Sequence, residues 1–176
     1  MPVKQKGSLL LKVSETKKKG MCFLIFGTLS LIIMVQIFLF SAQKAEDSAA
    51  LSGELAGFVE KILNSMEWLF GEGFLPWVKT YLRKIAHFVL YTLLGGFIMA
   101  TLYNTKIKKT TLKITLSALI GLLYSISDEI HQLFINGRSG EVRDVIIDFA
   151  GVVTGIAITL LVCKIIQIIA KKRKKV

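Results

Sequence analysis

The chain has 176 residues, 53% of them hydrophobic, and a formal net charge of +11. Its mean hydropathy of +0.59 excludes an ordinary small soluble domain, because the apolar residues are gathered into runs of membrane length. The lysines flank these apolar runs, so we expect a lipid bilayer as partner and no nucleic acid. The two cysteines, Cys22 and Cys163, both lie in apolar runs, and their spacing predicts neither a disulfide nor a metal site.

The first apolar run follows a basic segment, residues 1–20, and covers residues 21–40 without a charge. At 1.5 Å per helical residue it is ~30 Å long, which is enough to cross a bilayer. A cleaved signal peptide is the alternative interpretation. The run exceeds the ~7–15 apolar residues of a signal sequence, and Ser41-Ala42-Gln43 is a weak cleavage motif, so we predict an uncleaved membrane anchor.

A more polar segment follows, and residues of about 50–70 show apolar positions at spacings of three and four. Such a pattern predicts an amphipathic helix that is too polar to span a membrane and suited to its surface. Trp68 and Trp77 fit an interfacial belt at its end. A helix packed against the bundle is an equally open alternative.

Three further spans are predicted at about 81–103, 112–127 and 145–169. The last contains Gly151 and Gly155, the small-xxx-small spacing that lets membrane helices approach closely. We therefore predict an all-α polytopic membrane protein. It would be a bundle of four transmembrane helices with an extracytoplasmic interfacial helix, in one domain over residues 21–169 with a basic tail at 170–176.

The orientation of the bundle follows from the charges outside the spans. The N-terminal segment, the 104–113 loop and the tail from Lys164 hold 16 of the 23 basic residues and one of the 12 acidic residues. Positively charged segments stay in the cytoplasm, so we expect both termini there. Residues 41–82 and 128–144 would then lie on the outer face.

This orientation predicts one polar site at the outer end of three helices. On the second span, Lys84, His87 and Tyr91 follow i, i+3, i+7 spacing and share one face, with Arg83 beside it. The other two spans and their connection bring acidic, basic and amide side chains to the same level. The expected site residues are Arg83, Lys84, His87, Tyr91, Asp128, Glu129, His131, Gln132, Arg138, Arg143, Asp144 and Asp148. We also expect His87 to bond an acid of the third or fourth span, with Tyr91 one turn deeper.

As a set, these motifs resemble the VanZ-like family over roughly residues 25–165. The resemblance rests on Ser41-x-Gln43 with Ser48 and Ser52, Arg83-Lys84-x-x-His87-x-x-x-Tyr91, Asp128-Glu129-x-His131-Gln132-x-Phe134, Gly137-Arg138 and Arg143-Asp144. It implies a small multi-pass protein of the bacterial plasma membrane, in a family associated with glycopeptide (teicoplanin) resistance. It implies no particular reaction, since no agreed activity defines the family.

Four interpretations of the polar site remain open. A metal is disfavoured because there is no H-E-x-x-H, the histidines belong to different helices, and four cationic side chains lie nearby. We therefore expect neither a metal nor a cofactor. Acid–base catalysis on a lipid-linked phosphate or acyl group is an alternative, with the candidates His87, Asp128, Glu129, His131 and Asp144. Ser127 and Ser139 lack a nucleophile motif.

The third interpretation is a structural network in which the acids neutralise the bases. The fourth, which we favour, is binding of a lipid-linked or other anionic envelope component, because arginine clamps phosphate bidentately. Such binding would alter how envelope-directed agents reach their targets. The sequence gives no indication of an oligomeric state.

Overall fold

A computed structural model describes residues 3–43, 57, 74–138 and 140–173, with side chains described from Thr16 and, after the gap, from Tyr81. Four long helices follow one another, α1 (Val3–Ser41), α2 (Phe74–Tyr103), α3 (Thr110–Gln132) and α4 (Val142–Arg173). The all-α prediction is confirmed. The predicted interfacial helix at 50–70 lies outside the described residues apart from Gly57, as do Ser48, Ser52 and Trp68.

All four helices are long and apolar enough to cross a membrane, so the predicted number of spans is confirmed for the described ranges. The membrane-length segments are Thr16–Ser41, Tyr81–Tyr103, Thr110–Gln132 and Val142–Arg173. Large apolar side chains such as Leu31, Leu123 and Ile166 are exposed on the outside of the bundle. An apolar exterior of this kind fits a bilayer environment.

The helices extend beyond the predicted spans. α1 begins at Val3 inside the basic segment, α3 continues to Gln132, and α4 runs from Val142 to Arg173. The predicted spans ended where charge appears, but lysine, arginine, glutamate and glutamine are good helix formers, so a charged residue does not stop a helix. As a result, Asp128 and Gln132 project from a regular helix rather than from a loop.

α2 and α4 pack against each other most extensively, and glycines make their close approach possible. A Cβ atom at Gly155 would overlap the carbonyl oxygen of Thr92 and lie 2.6 Å from the amide nitrogen of Gly96. One turn away, a Cβ atom at Gly151 would lie 2.6 Å from the carbonyl oxygen of Phe88. This is the close contact that the G-V-V-T-G spacing predicts.

The core lies along this contact and includes Tyr91, Leu94, Met99 and Val152, all fully buried. At one end of the bundle, Lys113 donates to the Tyr103 carbonyl oxygen at 3.0 Å. At the other end, the turn between α3 and α4 contains Gly137, whose φ of 78° favours glycine. Cys22 and Cys163 are free thiols.

Candidate functional site

The end of the bundle at which α1 and α3 stop and α2 and α4 begin holds a connected set of polar side chains. We call this set the polar cluster. It consists of Ser41 of α1, Arg83, Lys84 and His87 of α2, Asp128 and Gln132 of α3, Arg138 of the turn, and Asp144 and Asp148 of α4. All four helices contribute to it, because antiparallel neighbours place the end of one helix beside the start of the next.

Gln132 lies at the centre of the cluster. Its side-chain oxygen accepts hydrogen bonds from Arg83 Nη2 at 2.9 Å and from Arg138 Nη1 at 3.4 Å. Its side-chain nitrogen donates to Asp128 Oδ2 at 3.3 Å and to Glu129 Oε2 at 3.5 Å. The amide therefore places two guanidinium groups on one side and two carboxylates on the other.

Asp128 is held by two donors and is almost fully buried, with 4% of its surface exposed. Besides Gln132, the hydroxyl of Ser41 donates to Oδ2 at 2.9 Å. Both bonds are made to the same carboxylate oxygen. The other oxygen, Oδ1, is buried and has no hydrogen-bond partner among the described residues.

Lys84 forms two ion pairs at the edge of the cluster. Its ammonium group pairs with Asp144 and lies 3.5 Å from Glu141 Oε2. The charge of Lys84 is thus neutralised locally by two carboxylates. The structural-network interpretation applies to this part of the cluster.

His87 faces Asp148 of α4. The closest atoms, Nδ1 and Oδ1, are 3.7 Å apart, an ion-pair distance that is longer than a hydrogen bond. Tyr91 lies one turn deeper on α2, and its ring is 6.4 Å from that of His87. The expected acidic neighbour is present and belongs to the fourth span, but the expected hydrogen bond is not made.

Among the other predicted site residues, Glu129 borders this arrangement. Its Oε2 accepts a hydrogen bond from Gln132 Nε2 at 3.5 Å, and its Oε1 accepts the backbone N–H of Glu141 at 2.6 Å, which joins the turn to α3. Two predicted residues lie apart. His131 stacks on Phe38 of α1 with ring centroids 4.5 Å apart, and no hydrogen bond or ion pair joins it to a carboxylate of the described residues. Arg143 is exposed and forms no hydrogen bond or ion pair with the described residues.

Arg138 is an arginine without a carboxylate partner in the described part of the chain. It donates from Nη2 to the backbone carbonyl of Phe40 at 2.9 Å, and its Nε is buried without a hydrogen-bond partner. Burial and, next, the positive charge of Arg83 lower the pKa of Arg138 below its usual value. The guanidinium stays charged at neutral pH because its usual pKa is above 12.

A small cavity opens among these side chains, with a volume of about 10 Å³. That is about the space that a single water molecule needs. Its lining residues come from α2, α3 and α4 and are Arg83, Lys84, His87, Gln132, Asp144, Ile147 and Asp148. A larger ligand would have to bind at its mouth or move these side chains.

Two residues of the site were not predicted from the sequence. Ser41 was interpreted only as a weak cleavage motif and as part of the family pattern, yet it is fully buried and bonds Asp128. Glu141 was not predicted as a site residue, although its carboxylate pairs with Lys84 and its backbone N–H donates a hydrogen bond to Glu129. A small polar residue at the exact end of an apolar helix is the signal that indicates a buried hydrogen bond at Ser41.

Comparison with known families identifies the chain. The family model VanZ/LLP1 matches residues 26–164, which includes the second and third spans, most of the first and fourth, and every residue of the polar cluster. Comparison with curated proteins and with solved structures finds no match. Because the family model covers well over half of the sequence, the chain belongs to the VanZ/LLP1 family of multi-pass membrane proteins.

Proposed function

We propose that the polar cluster lies on the outer face of the bacterial plasma membrane and binds the anionic head group of an amphiphilic envelope component. Occupancy of this site would change susceptibility to glycopeptides or other envelope-directed agents, in line with the association of the family with resistance. The charge distribution supports this orientation, with both termini in the cytoplasm, because the three strongly basic segments lie at the opposite end of the helices.

The observation that carries the proposal is the position of the two arginines. Arg83 and Arg138 donate to the same oxygen of Gln132, which is neutral, and neither is paired with a carboxylate among the described residues. Two neighbouring cations that share a neutral acceptor repel each other. An anion between them would relieve this repulsion. Lys84, by contrast, already has its carboxylates.

Phosphate is the anion that this arrangement suits best. Guanidinium groups bind phosphate oxygens through paired N–H donors, and a charge-assisted bond of this kind is about twice as strong as a neutral one. Leu133 and Phe134 directly follow Gln132 in the chain and are 59% and 79% exposed. They offer an apolar surface for the lipid portion of the same molecule.

Native mass spectrometry of the purified protein, followed by addition of vesicles with and without phosphatidylglycerol, tests the proposal. We expect wild-type protein to retain a phospholipid or lipid-linked phosphate, and Arg83→Ala and Arg138→Ala to lose it. Arg143→Ala is the matched control, because it removes an exposed arginine outside the cluster. Equal lipid retention in all four proteins would contradict an arginine-based site.

A membrane hydrolase or transferase is the second candidate, and the position of His87 favours it. A histidine that faces a buried carboxylate beside a cavity is an arrangement that can take a proton from an attacking group. Here His87 rather than His131 would be the base. Incubation with a phospholipid or lipid-linked phosphate and measurement of released product tests this activity, and His87→Gln should abolish release while lipid retention persists.

A further inference from the structure

Three residues of the polar cluster lie beside the arginines and make none of the proposed phosphate contacts. They are His87 of α2, Asp128 of α3 and Asp148 of α4. We propose that these three residues bind a divalent transition-metal cation, of which Zn²⁺ and Mn²⁺ are the representative cases. This site is separate from the anion site, and either can exist without the other.

The geometry of the three side chains fits a cation. One ligand atom from each lies within 4.8 Å of the other two, and His87 Nδ1 is 3.7 Å from Asp148 Oδ1. Metal bonds of ~2.0–2.2 Å at tetrahedral angles place neighbouring ligand atoms about 3.3–3.6 Å apart. The pair of His87 and Asp148 is already close to this spacing, and side-chain shifts of up to about 1 Å would bring the third ligand atom to it. Imidazole with carboxylates is a ligand set that suits Zn²⁺ and Mn²⁺ better than Mg²⁺.

Unpartnered polar atoms point to a missing ligand at this position. Asp128 Oδ1 and Asp148 Oδ2 are buried without a hydrogen-bond partner among the described residues, and the side chains are 4% and 2% exposed. Buried polar groups are normally satisfied, so two unsatisfied carboxylate oxygens at one place need an explanation. A cation between them supplies one.

Hydrogen bonds from neighbouring residues fix the orientation of Asp128, as they do for carboxylates that bind metals. Ser41 and Gln132 both donate to Oδ2, and this leaves Oδ1 as the free oxygen. Hydrogen bonds from surrounding residues that fix a ligating carboxylate in this way are a regular feature of metal sites. They orient the ligand and prevent its rotation.

The nearby cationic side chains, which argued against a metal in the sequence, have other partners in the structure. Lys84 pairs with Asp144 and Glu141, and Arg83 donates to Gln132. No basic side chain other than His87 makes an ion pair with Asp128 or Asp148 in the described part of the chain. Two buried carboxylates carry a charge that one divalent cation balances.

Protonation is the rival explanation. A proton on His87 and another on one of the acids would also neutralise the group, without a metal. The two explanations differ in what remains bound after purification and in the response to chelators. They also differ in the effect of Asp148→Asn, which removes a ligand from a metal site, whereas a protonated site holds no ion to lose.

The test uses the full chain in detergent, stripped with EDTA, dialysed separately against Zn²⁺, Mn²⁺ or Mg²⁺, and analysed for bound metal. We expect about one Zn²⁺ or Mn²⁺ per chain, with a raised melting temperature, and no retained Mg²⁺. Asp128→Asn and Asp148→Asn should lose the ion. Asp144→Asn is the matched control, since it removes an acid of the same helix that pairs with Lys84, and it should keep the ion.

A spectroscopic measurement keeps the test independent of how well the variants fold. Co²⁺ bound to the wild-type protein should show a visible absorption spectrum, and Mn²⁺ should show coupling to a histidine nitrogen in electron–nuclear double resonance. A wild-type protein that retains no ion and shows no change in melting temperature overturns the proposal. So does equal metal loss in Asp144→Asn, or bound Mn²⁺ without nitrogen coupling.

Discussion

The hydroxyl of Ser41 donates a hydrogen bond of 2.9 Å to Asp128, joining the end of the first span to the end of the third. The two residues are 87 positions apart, and both are buried. α1 touches α3 much less than it touches α2. This single bond is therefore a major polar link between the first span and the polar cluster.

Removal of this hydroxyl gives the first prediction. Ser41→Ala leaves a buried carboxylate short of one donor, and a hydrogen bond to a charged group contributes about 1.5–3 kcal/mol. We expect a loss of unfolding free energy in that range, measured by unfolding in mixed detergent micelles. Ser30→Ala is the matched control, because among the described residues the Ser30 hydroxyl bonds only the Phe26 carbonyl of its own helix, at 2.8 Å. An equal effect of both changes would contradict a special role for Ser41.

The contact between α2 and α4 gives the second prediction. Gly155→Ala would place a methyl group into the backbone of α2 at Thr92, where no flexible side chain can move aside. Overpacking costs about 1–3 kcal/mol even where side chains can adjust, so we expect a loss of at least that size and poor folding. Gly27→Ala is the control, since the nearest atom to its new Cβ is Thr101 Cγ2 at 3.8 Å. Folded yield and melting temperature in detergent measure the difference, and normal behaviour of Gly155→Ala would show that the helices are not tightly packed there.

Hydropathy and helical spacing were enough to predict four spans, and the positions of Gly151 and Gly155 were enough to predict a close contact. Individual partners were harder to predict, because spacing along one helix says nothing about which neighbouring helix a side chain meets. His131 illustrates this limit. It lies three positions after Asp128 on the same helical face, yet its ring stacks on Phe38 of α1 instead of facing the carboxylates. The pairing of Lys84 with Asp144, of His87 with Asp148, and of both arginines with Gln132 needed the packed bundle.

Membrane orientation gives the third prediction. In a background with Cys22→Ala and Cys163→Ala, a cysteine introduced by Asn136→Cys should react with a membrane-impermeant maleimide in intact cells. Asn136 lies in the exposed turn beside the polar cluster. Thr110→Cys, at the exposed start of α3 beside the basic loop, should react only after the cells are opened. The opposite pattern would place the polar cluster in the cytoplasm and contradict an outer-face binding site.

The fourth prediction separates the two histidines by their surroundings. The ring of His131 stacks on Phe38 at 4.5 Å, and its Nε2 is buried without a hydrogen-bond partner among the described residues. His131→Phe keeps an aromatic ring in this position and removes the unsatisfied nitrogen, so the melting temperature in detergent should stay equal or rise. An aromatic pair contributes about 0.5–1.5 kcal/mol beyond its buried area, so His131→Ala should lower it.

The matched change on α2 is His87→Phe, which should lower the melting temperature. It places an apolar ring beside the buried carboxylate of Asp148 and removes the basic group that faces it. A buried charge that loses its partner is strongly destabilising. If His131→Phe instead abolished lipid binding without changing the melting temperature, His131 would contact the ligand. Its stacking on Phe38 would then describe only the protein without a ligand. If both histidines tolerated phenylalanine, the contrast between His131 and His87 would be wrong.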